Sequence, residues 1–317
     1  HGVSSRMLQP LGCSNEKPPL LKVVGVCHER LYPAHRTNGL CRVYMRCEEV
    51  QESMKTHKAL VFFDIDGTLL DRQQQAPESA VQAISQLRAN GHLAFINTGR
   101  CMAMVSEEIQ AIGFDGIVAS CGTHITVGSQ TLENILIPED QLQSIIQLLI
   151  ANQIDFWLEG PDHVYLDSVT HPAFYRKFLS EYPGWPGLFA DFRDAKPLRV
   201  NKFSYLINRH SQFDQVEPIL RNQFDLIIHR EDHGEVIPKG FSKATGIDQV
   251  KTFLGQSGAK VFAFGDSLND LDMLKAADFG IAMGGSRSRL IELSSHLTDS
   301  PDDHGIANAL RHYQLIE

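Results

Sequence analysis

Two short apolar runs, Ala59–Phe63 and Val261–Phe264, each break off in acid: Asp64-Ile65-Asp66-Gly67-Thr68 follows the first and Gly265-Asp266-Ser267-Leu268-Asn269-Asp270 the second. Neither run alternates with polar residues, so each reads as a strand covered on both faces, the pattern of a parallel sheet flanked by helices. In open sheets of that kind, ligands bind beyond the carboxyl ends of the strands. Both acidic groups stand at such ends. If the two strands are neighbours, Asp64, Asp66, Asp266 and Asp270 meet at one site although about 200 residues separate the loops.

Two carboxylates at i and i+2 at the mouth of a buried strand repel one another and lose solvation. The arrangement therefore needs a compensating cation or a shared proton. A hard, oxygen-rich set suits Mg²⁺ better than zinc. An EF-hand is excluded, because its glycine belongs at loop position 6 and Gly67 would stand at position 4. Asp270 has a second reading, as a helix N-cap.

The pattern around these loops predicts a doubly wound α/β sheet. Strands are expected at 59–63, 92–97 and 117–120, with helices over 77–89 and 101–112 between them. A mixed α+β stretch follows, with strands at 125–127, 135–137, 155–158, 164–166 and 202–207 and helices near 139–152, 171–180 and 213–222. After Glu235 the first pattern resumes, with helix 243–254, strand 261–264, helix 270–276, strand 279–282 and a last helix at 306–312. The expected division is therefore a core formed by 59–123 and 235–317, interrupted by an inserted domain at 124–234.

The 58 residues before Ala59 differ from the rest. They hold four of the six cysteines and nine Lys or Arg against five Glu, and Pro10, Pro18, Pro19 and Pro33 interrupt any periodicity. Residues 1–58 are expected to form a non-domain extension. Within it, 1–53 read as upstream sequence, since Met54 stands just before the first strand, with a partner-binding tail as the alternative. The whole chain carries a net charge of −9, which disfavours nucleic acid and anionic lipid as partners. No run of 18 apolar residues occurs, and the nearest approach to a signal core, Leu20–Cys27, is broken by Lys22. A cytoplasmic protein with no membrane partner is expected, with its cysteines as reduced thiols.

Two further segments bear on the acidic site. The strand 92–97 ends in Thr98-Gly99-Arg100, small polar residues before a helix, which suit either a phosphate cradle or an ordinary turn. The loop Pro238-Lys239-Gly240-Phe241-Ser242-Lys243 supplies two lysines ahead of a helix. Lys243 stands at the helix start, where a cation is disfavoured unless an anion is bound there, so it is the better anion ligand and Lys239 the reserve.

Asp64-x-Asp66-Gly67-Thr68, then Thr98-Gly99-Arg100, then Lys243, then Gly265-Asp266-Ser267-x-Asn269-Asp270 resemble, in order, the four motifs of the haloacid dehalogenase (HAD) superfamily. The insertion of roughly 110 residues between the second and third resembles the type IIB cap of the Cof-like phosphatases. Phe279-Gly280-Ile281-Ala282-Met283-Gly284 and Asp303-His304-Gly305-Ile306 resemble Cof-like proteins too, and the similarity covers about 59–317.

This resemblance implies a Rossmannoid core with an inserted α+β cap and a Mg²⁺-dependent phosphoric monoester hydrolase acting through an aspartyl-phosphate. Asp64 would be the nucleophile and Asp66 the acid and base. Asp64, the Asp66 carbonyl, Asp266 and Asp270 would hold Mg²⁺, and the amides of Ile65 and Gly99 with Thr98, Lys243 and Asn269 would hold phosphoryl oxygens. The partner would be a small phosphorylated metabolite such as a sugar phosphate, FMN or pyridoxal phosphate; a phosphomutase and a non-catalytic phosphometabolite sensor are the alternatives. Trp157, Glu159, His163, Tyr165, His171 and Trp185 are the candidate cap contacts. Cys121-Gly122-Thr123 stands where such proteins often carry Asn-Gly-Ala.

Overall fold

The computed structural model describes residues 59–182, 185 and 187–317. The expected extension 1–58, with Cys13, Cys27, Cys41 and Cys47, lies outside the described residues.

The described residues open with β1 (Ala59–Phe63), buried along its whole length, and α1 (Glu78–Ala89), which turns Ala80, Ala83, Ile84 and Leu87 inward. Next come β2 (Leu93–Asn97), α2 (Glu107–Ala111), β3 (Gly116–Ala119) and a hairpin of β4 (His124–Val127) and β5 (Gln130–Asn134). The middle of the chain gives α3 (Glu139–Ala151), β6 (Asp155–Glu159), β7 (Val164–Leu166), α4 (Pro172–Glu181) and β8 (Phe189–Asp191). It continues through β9 (Lys202–Leu206), α5 (Phe213–Gln223), β10 (Phe224–Arg230) and β11 (His233–Pro238). The last part is α6 (Lys243–Phe253), β12 (Lys260–Gly265), α7 (Leu271–Ala276), β13 (Phe279–Ala282), α8 (Ser288–Leu293), β14 (His296–Leu297) and α9 (Gly305–His312).

The described strands form two sheets. The first, in the order β14-β13-β12-β1-β2-β3-β4-β5, is parallel from β14 to β3 and ends in the antiparallel hairpin. In β1, Val61 and Phe63 join one apolar cluster with Ile84, Leu87 and Leu310, while Leu60 and Phe62 join another with Ile247 and Val250. This two-sided burial is the reason the run shows no polar alternation. Burying one such side chain stabilises the sheet by about 1.5–3 kcal/mol. From β1 the chain runs one way along the sheet to β2 and β3, then returns to β12 on the other side of β1. The two acid-tipped strands are therefore neighbours, with Phe63 paired to Phe264, at the point where strand order reverses.

The second sheet has the order β10-β11-β9-β6-β7-β8. One face is apolar: Phe156, Leu158, Phe203 and Tyr205 pack with Leu142, Ile146 and Leu149 of α3 and Val216 and Leu220 of α5. The intervening residues Trp157, Glu159, Lys202 and Ser204 fall on the other face by the two-residue period of a strand. Among the described residues, no helix is long and apolar enough to cross a membrane.

Several expectations need correction. The helix expected over 101–112 is a 3₁₀ turn at Met102–Met104 followed by α2, because Val105 is extended and the Ser106 hydroxyl caps the Ile109 amide. Residues 135–137 are not a strand; β5 precedes them and folds back on β4 through Gly128, at φ +57°. Strand pairing also moves the seam between the sheets. The strand 125–127, expected to open the inserted segment 124–234, is β4, which pairs with β3 of the first sheet, and β11 carries the second sheet to Pro238, past Glu235. Periodicity identifies a strand without saying which sheet it joins. Beyond the expected elements, the structure adds β8, β10, β11, α8 and β14.

Candidate active site

Asp64 is the first residue past β1, and its amide donates to the Phe264 carbonyl at 3.0 Å, which holds the side chain at the seam of β1 and β12. It is 5% exposed. The following turn is closed by the Leu69 and Leu70 amides, both donating to the Ile65 carbonyl, while the Ile65 side chain is buried in the core. Gly67 has φ +75°, and a Cβ there would collide with the Asp266 carboxylate, so only glycine lets the two acidic loops approach this closely.

Lys243 supplies the charge between them. Ser242 caps α6 through a reciprocal bond with Thr245, which directs the Lys243 side chain inward. Its Nζ donates to Asp64 Oδ1 at 2.6 Å and to Asp270 Oδ1 at 2.5 Å, with the lysine only 2% exposed. Lys239, the reserve candidate, is exposed and outside the group. Asp270 does not cap the helix that follows it with its side chain: Oδ2 accepts from the preceding Asp266 and Ser267 amides at 3.0 Å each, and Oδ1 faces the lysine.

The group is short of positive charge. Burial pushes the Asp64 carboxyl well above its ordinary value; Lys243 opposes the shift, and Asp270 and Asp66 reinforce it. Burial, then Asp270, pushes Asp266 up to about 7. Burial works against the Lys243 ammonium, but Asp270 and Asp64 outweigh it and hold its pKa above the usual value. Asp64, Asp266 and Asp270 can each offer an oxygen, all within 4.8 Å of one another. Three hard donors that share one lysine fit Mg²⁺, which takes one or two carboxylates together with water or phosphate.

The Asp66 carboxylate is not drawn into that trio. Arg100 grips it from the side, Nε to Oδ2 at 2.8 Å and Nη2 to Oδ1 at 2.5 Å, and also donates to Gln74 Oε1 at 3.0 Å. Thr98 is buried and its Oγ1 accepts from the Arg100 amide at 3.1 Å, while Asn97 Nδ2 ties the end of β2 to the Lys243 carbonyl at 2.9 Å. Asn269 Nδ2 lies 3.7 Å from where a Gly99 Cβ would stand. The loops after β1, β2 and β12 and the start of α6 thus meet at one mouth.

That mouth opens into a cleft of about 1750 Å³ whose opposite wall is the polar face of the second sheet. Of the candidate cap contacts, Trp157, Glu159 and Trp185 line it; His163, Tyr165 and His171 do not. Tyr165 belongs to the apolar core, and His171 Nδ1 pairs with Asp155 at 2.7 Å. The sequence reading missed Arg100 as a partner of Asp66, and it missed a second buried lysine. Lys202 Nζ lies 2.9 Å from Glu159 and 2.7 Å from Glu235. The Ser204 hydroxyl donates to Glu159 at 2.6 Å, and His229 Nε2 meets Glu235 Oε1 at 2.6 Å. No local signal marks this cluster: in Lys202-Phe203-Ser204-Tyr205 the lysine stands at the polar position of an alternating strand, where a solvated charge is equally expected.

The model of the haloacid dehalogenase-like hydrolases matches residues 61–310. The chain is 28% identical over 261 residues to the 5-amino-6-(5-phospho-D-ribitylamino)uracil phosphatase YcsE of Bacillus subtilis (strain 168), covering 81% of this chain and 96% of that protein. Among solved structures, a hypothetical protein from Geobacillus kaustophilus HTA426 superposes with a TM-score of 0.71 at 26% identity, over 82% of this chain and 100% of that one. The HAD subclass IIB sugar phosphatase BT4131 shares the fold, with a TM-score of 0.66 at 22% identity over 81% of this chain and 100% of its own.

Proposed function

The chain belongs to the haloacid dehalogenase-like hydrolases, in their Cof-like group of phosphoric monoester hydrolases, and from that premise we propose a Mg²⁺-dependent phosphatase for small phosphorylated metabolites. The observation that carries this reading is the single buried lysine between Asp64 and Asp270, with Asp266 alongside and its carboxyl pushed up to about 7. A purely structural ion pair would not retain a third carboxylate short of a counter-ion.

Asp64 is the nucleophile. One of its oxygens attacks phosphorus, the bond from phosphorus to the ester oxygen breaks, and an aspartyl-phosphate forms. Lys243 fixes the Asp64 carboxylate and lowers the repulsion between two anions. Asp66 gives its proton to the departing alkoxide, then takes one from the water that attacks the acyl phosphate, which returns inorganic phosphate and a free Asp64. To do so its carboxyl must turn from Arg100 toward the phosphoryl group. Thr98, Asn269 and the amides of Ile65 and Gly99 hold the phosphoryl oxygens. Asp64, the Asp66 carbonyl, Asp266 and Asp270 hold Mg²⁺, which when bound supplies the positive charge that the phosphoryl dianion and the acidic group both lack. The second sheet acts as the cap, covering the site and selecting the leaving group.

The test is phosphate release from sugar phosphates, FMN, pyridoxal phosphate and p-nitrophenyl phosphate, with Mg²⁺ and with EDTA, by the wild type and by Asp64→Asn. Release that needs the metal and Asp64 is expected. A well-folded, Mg²⁺-loaded protein that releases phosphate from none of them would overturn the reading. An isomeric product that keeps its phosphate would identify a mutase instead.

A further inference from the structure

The cap wall approaches the phosphate loops at Glu235. Glu235 of β11 reaches across to Gly99, where an ideal Cβ would lie 3.5 and 3.6 Å from its two carboxylate oxygens. A leaving group attached to a phosphoryl group seated at Gly99 must therefore lie against Glu235 within its first few bonds. Behind Glu235 stand Lys202 and Glu159, on the same face of the sheet because β6, β9 and β11 are neighbours in antiparallel register: Glu159 pairs with Lys202, and Glu235 with Ser204.

The lysine of this wall is already committed, and carboxylates remain in excess over it. The residues lining the cleft include nine carboxylates against two permanent cations, Arg100 and Lys202. Arg100 is engaged by Asp66, and Lys202 by Glu159 and Glu235 together. His229, the nearest further base, is held by Glu235 at 2.6 Å. The cap side of the cleft thus presents carboxylate lone pairs, which accept hydrogen bonds, and its one permanent cation among the described lining residues, Lys202, is already committed to Glu159 and Glu235.

We propose that Glu159 and Glu235, held in place by Lys202, are specificity-determining residues for the leaving group. They accept hydrogen bonds from hydroxyl or amino groups of a neutral or cationic leaving group and exclude one that carries a second anion. The inference rests on the phosphatase reading above and deepens it. Like charges brought together at a desolvated site are strongly disfavoured, which makes exclusion the larger part of the discrimination.

The experiment uses the full chain with saturating Mg²⁺ and p-nitrophenyl phosphate as reporter substrate. Glycerol 3-phosphate and 3-phosphoglycerate share a three-carbon chain and differ in a terminal hydroxymethyl or carboxylate, and each is titrated as a competitive inhibitor. The inhibition constant of 3-phosphoglycerate is expected to exceed that of glycerol 3-phosphate by roughly a hundredfold. Glu235→Gln and Glu159→Gln each remove one negative charge at nearly constant shape and are expected to narrow the ratio about tenfold. If one of them fails to fold, the other carries the test. Inhibition constants within threefold of each other in the wild type, or a ratio unmoved in the folded variants, would overturn the proposal. If the wild type hydrolyses neither p-nitrophenyl phosphate nor any other ester of the panel above, the phosphatase reading fails. Calorimetric titration of the two esters into the Mg²⁺-loaded protein then tests the wall alone, and equal affinities would overturn it.

Discussion

The cleft has a buried lysine between two carboxylates on each wall, and the two clusters differ in what remains after the lysine is counted. Lys243 sits between Asp64 and Asp270 with Asp266 beside them, and burial pushes both Asp64 and Asp266 above the ordinary carboxylate range. Lys202 sits between Glu159 and Glu235, but there Ser204 donates to Glu159 and His229 meets Glu235. Burial alone would raise Glu235; Lys202 and His229 overcome it and hold its carboxyl below the ordinary value. Glu159 remains raised, by burial and by Glu235, with Lys202 opposing. The core cluster is electrostatically open and calls for a cation, whereas the cap cluster is largely closed on itself. An open cluster suits chemistry on a phosphoryl group, and a closed one suits recognition by shape and hydrogen bonding.

The sharpest break between the two walls is expected from one buried acid on each. Asp64→Asn removes the nucleophile and should lower kcat by at least about 10⁴-fold, whereas Glu159→Gln on the opposite wall should leave turnover of p-nitrophenyl phosphate within about tenfold. Steady-state kinetics at saturating Mg²⁺ checks both. Comparable losses at the two residues would mean that the cap acids take part in the chemistry.

Stability separates the walls in a second way. Lys243→Met and Lys202→Met each strand two buried carboxylates, and each should cost about 3–5 kcal/mol in urea denaturation without metal. Mg²⁺ should restore part of the loss in Lys243→Met, because the carboxylates left behind are those that hold it, and none of the loss specific to Lys202→Met. Equal rescue of both variants would place the ion elsewhere.

A smaller effect follows from Asp266. Its pKa in the folded chain, near 7, lies above its ordinary value of 3.8, so between about pH 4 and 7 the folded state keeps a proton that the unfolded chain has released. Stability of the metal-free protein should therefore decline as pH rises through that window, by on the order of 1–2 kcal/mol from this group. Saturating Mg²⁺, which replaces the proton, should flatten the slope. Urea denaturation at several pH values, in EDTA and in Mg²⁺, reads both. The cap wall has no metal to gain and should add no Mg²⁺-dependent slope.

The two clusters also differ in how far the sequence revealed them. Asp64, Asp66, Asp266 and Asp270 were legible because each pair is local, standing within a few residues of the end of an apolar strand, and the parallel topology brings such ends together. Lys243 was legible from its place at a helix start. Glu159, Lys202 and Glu235 are brought together only by the order β11-β9-β6 and its register, which no local pattern encodes. Glu159 was noted among many cap residues, but nothing beside it pointed to Lys202. The same gap explains why the strand at 125–127, β4, was expected in the wrong sheet. The Arg100 grip on Asp66 was missed for a related reason: the motif places Arg100 in the right loop, while the direction of its side chain depends on where Gln74 and Met104 lie.

The smallest effect is expected at the lysine that the sequence left as an alternative. Lys239 follows the end of β11 and is exposed, and Gly240, at φ +84°, turns the chain away from the sheet before Ser242 caps α6. That turn separates the two lysines of one short loop: it leaves Lys239 in solvent and points Lys243 at Asp64. An exposed lysine without a fixed partner contributes little, so Lys239→Ala should change stability by less than about 0.5 kcal/mol and kcat/KM by less than about twofold. A loss at Lys239→Ala approaching that of Lys243→Met would mean that the loop rearranges when substrate binds, and the open cluster would then draw its second cation from Lys239.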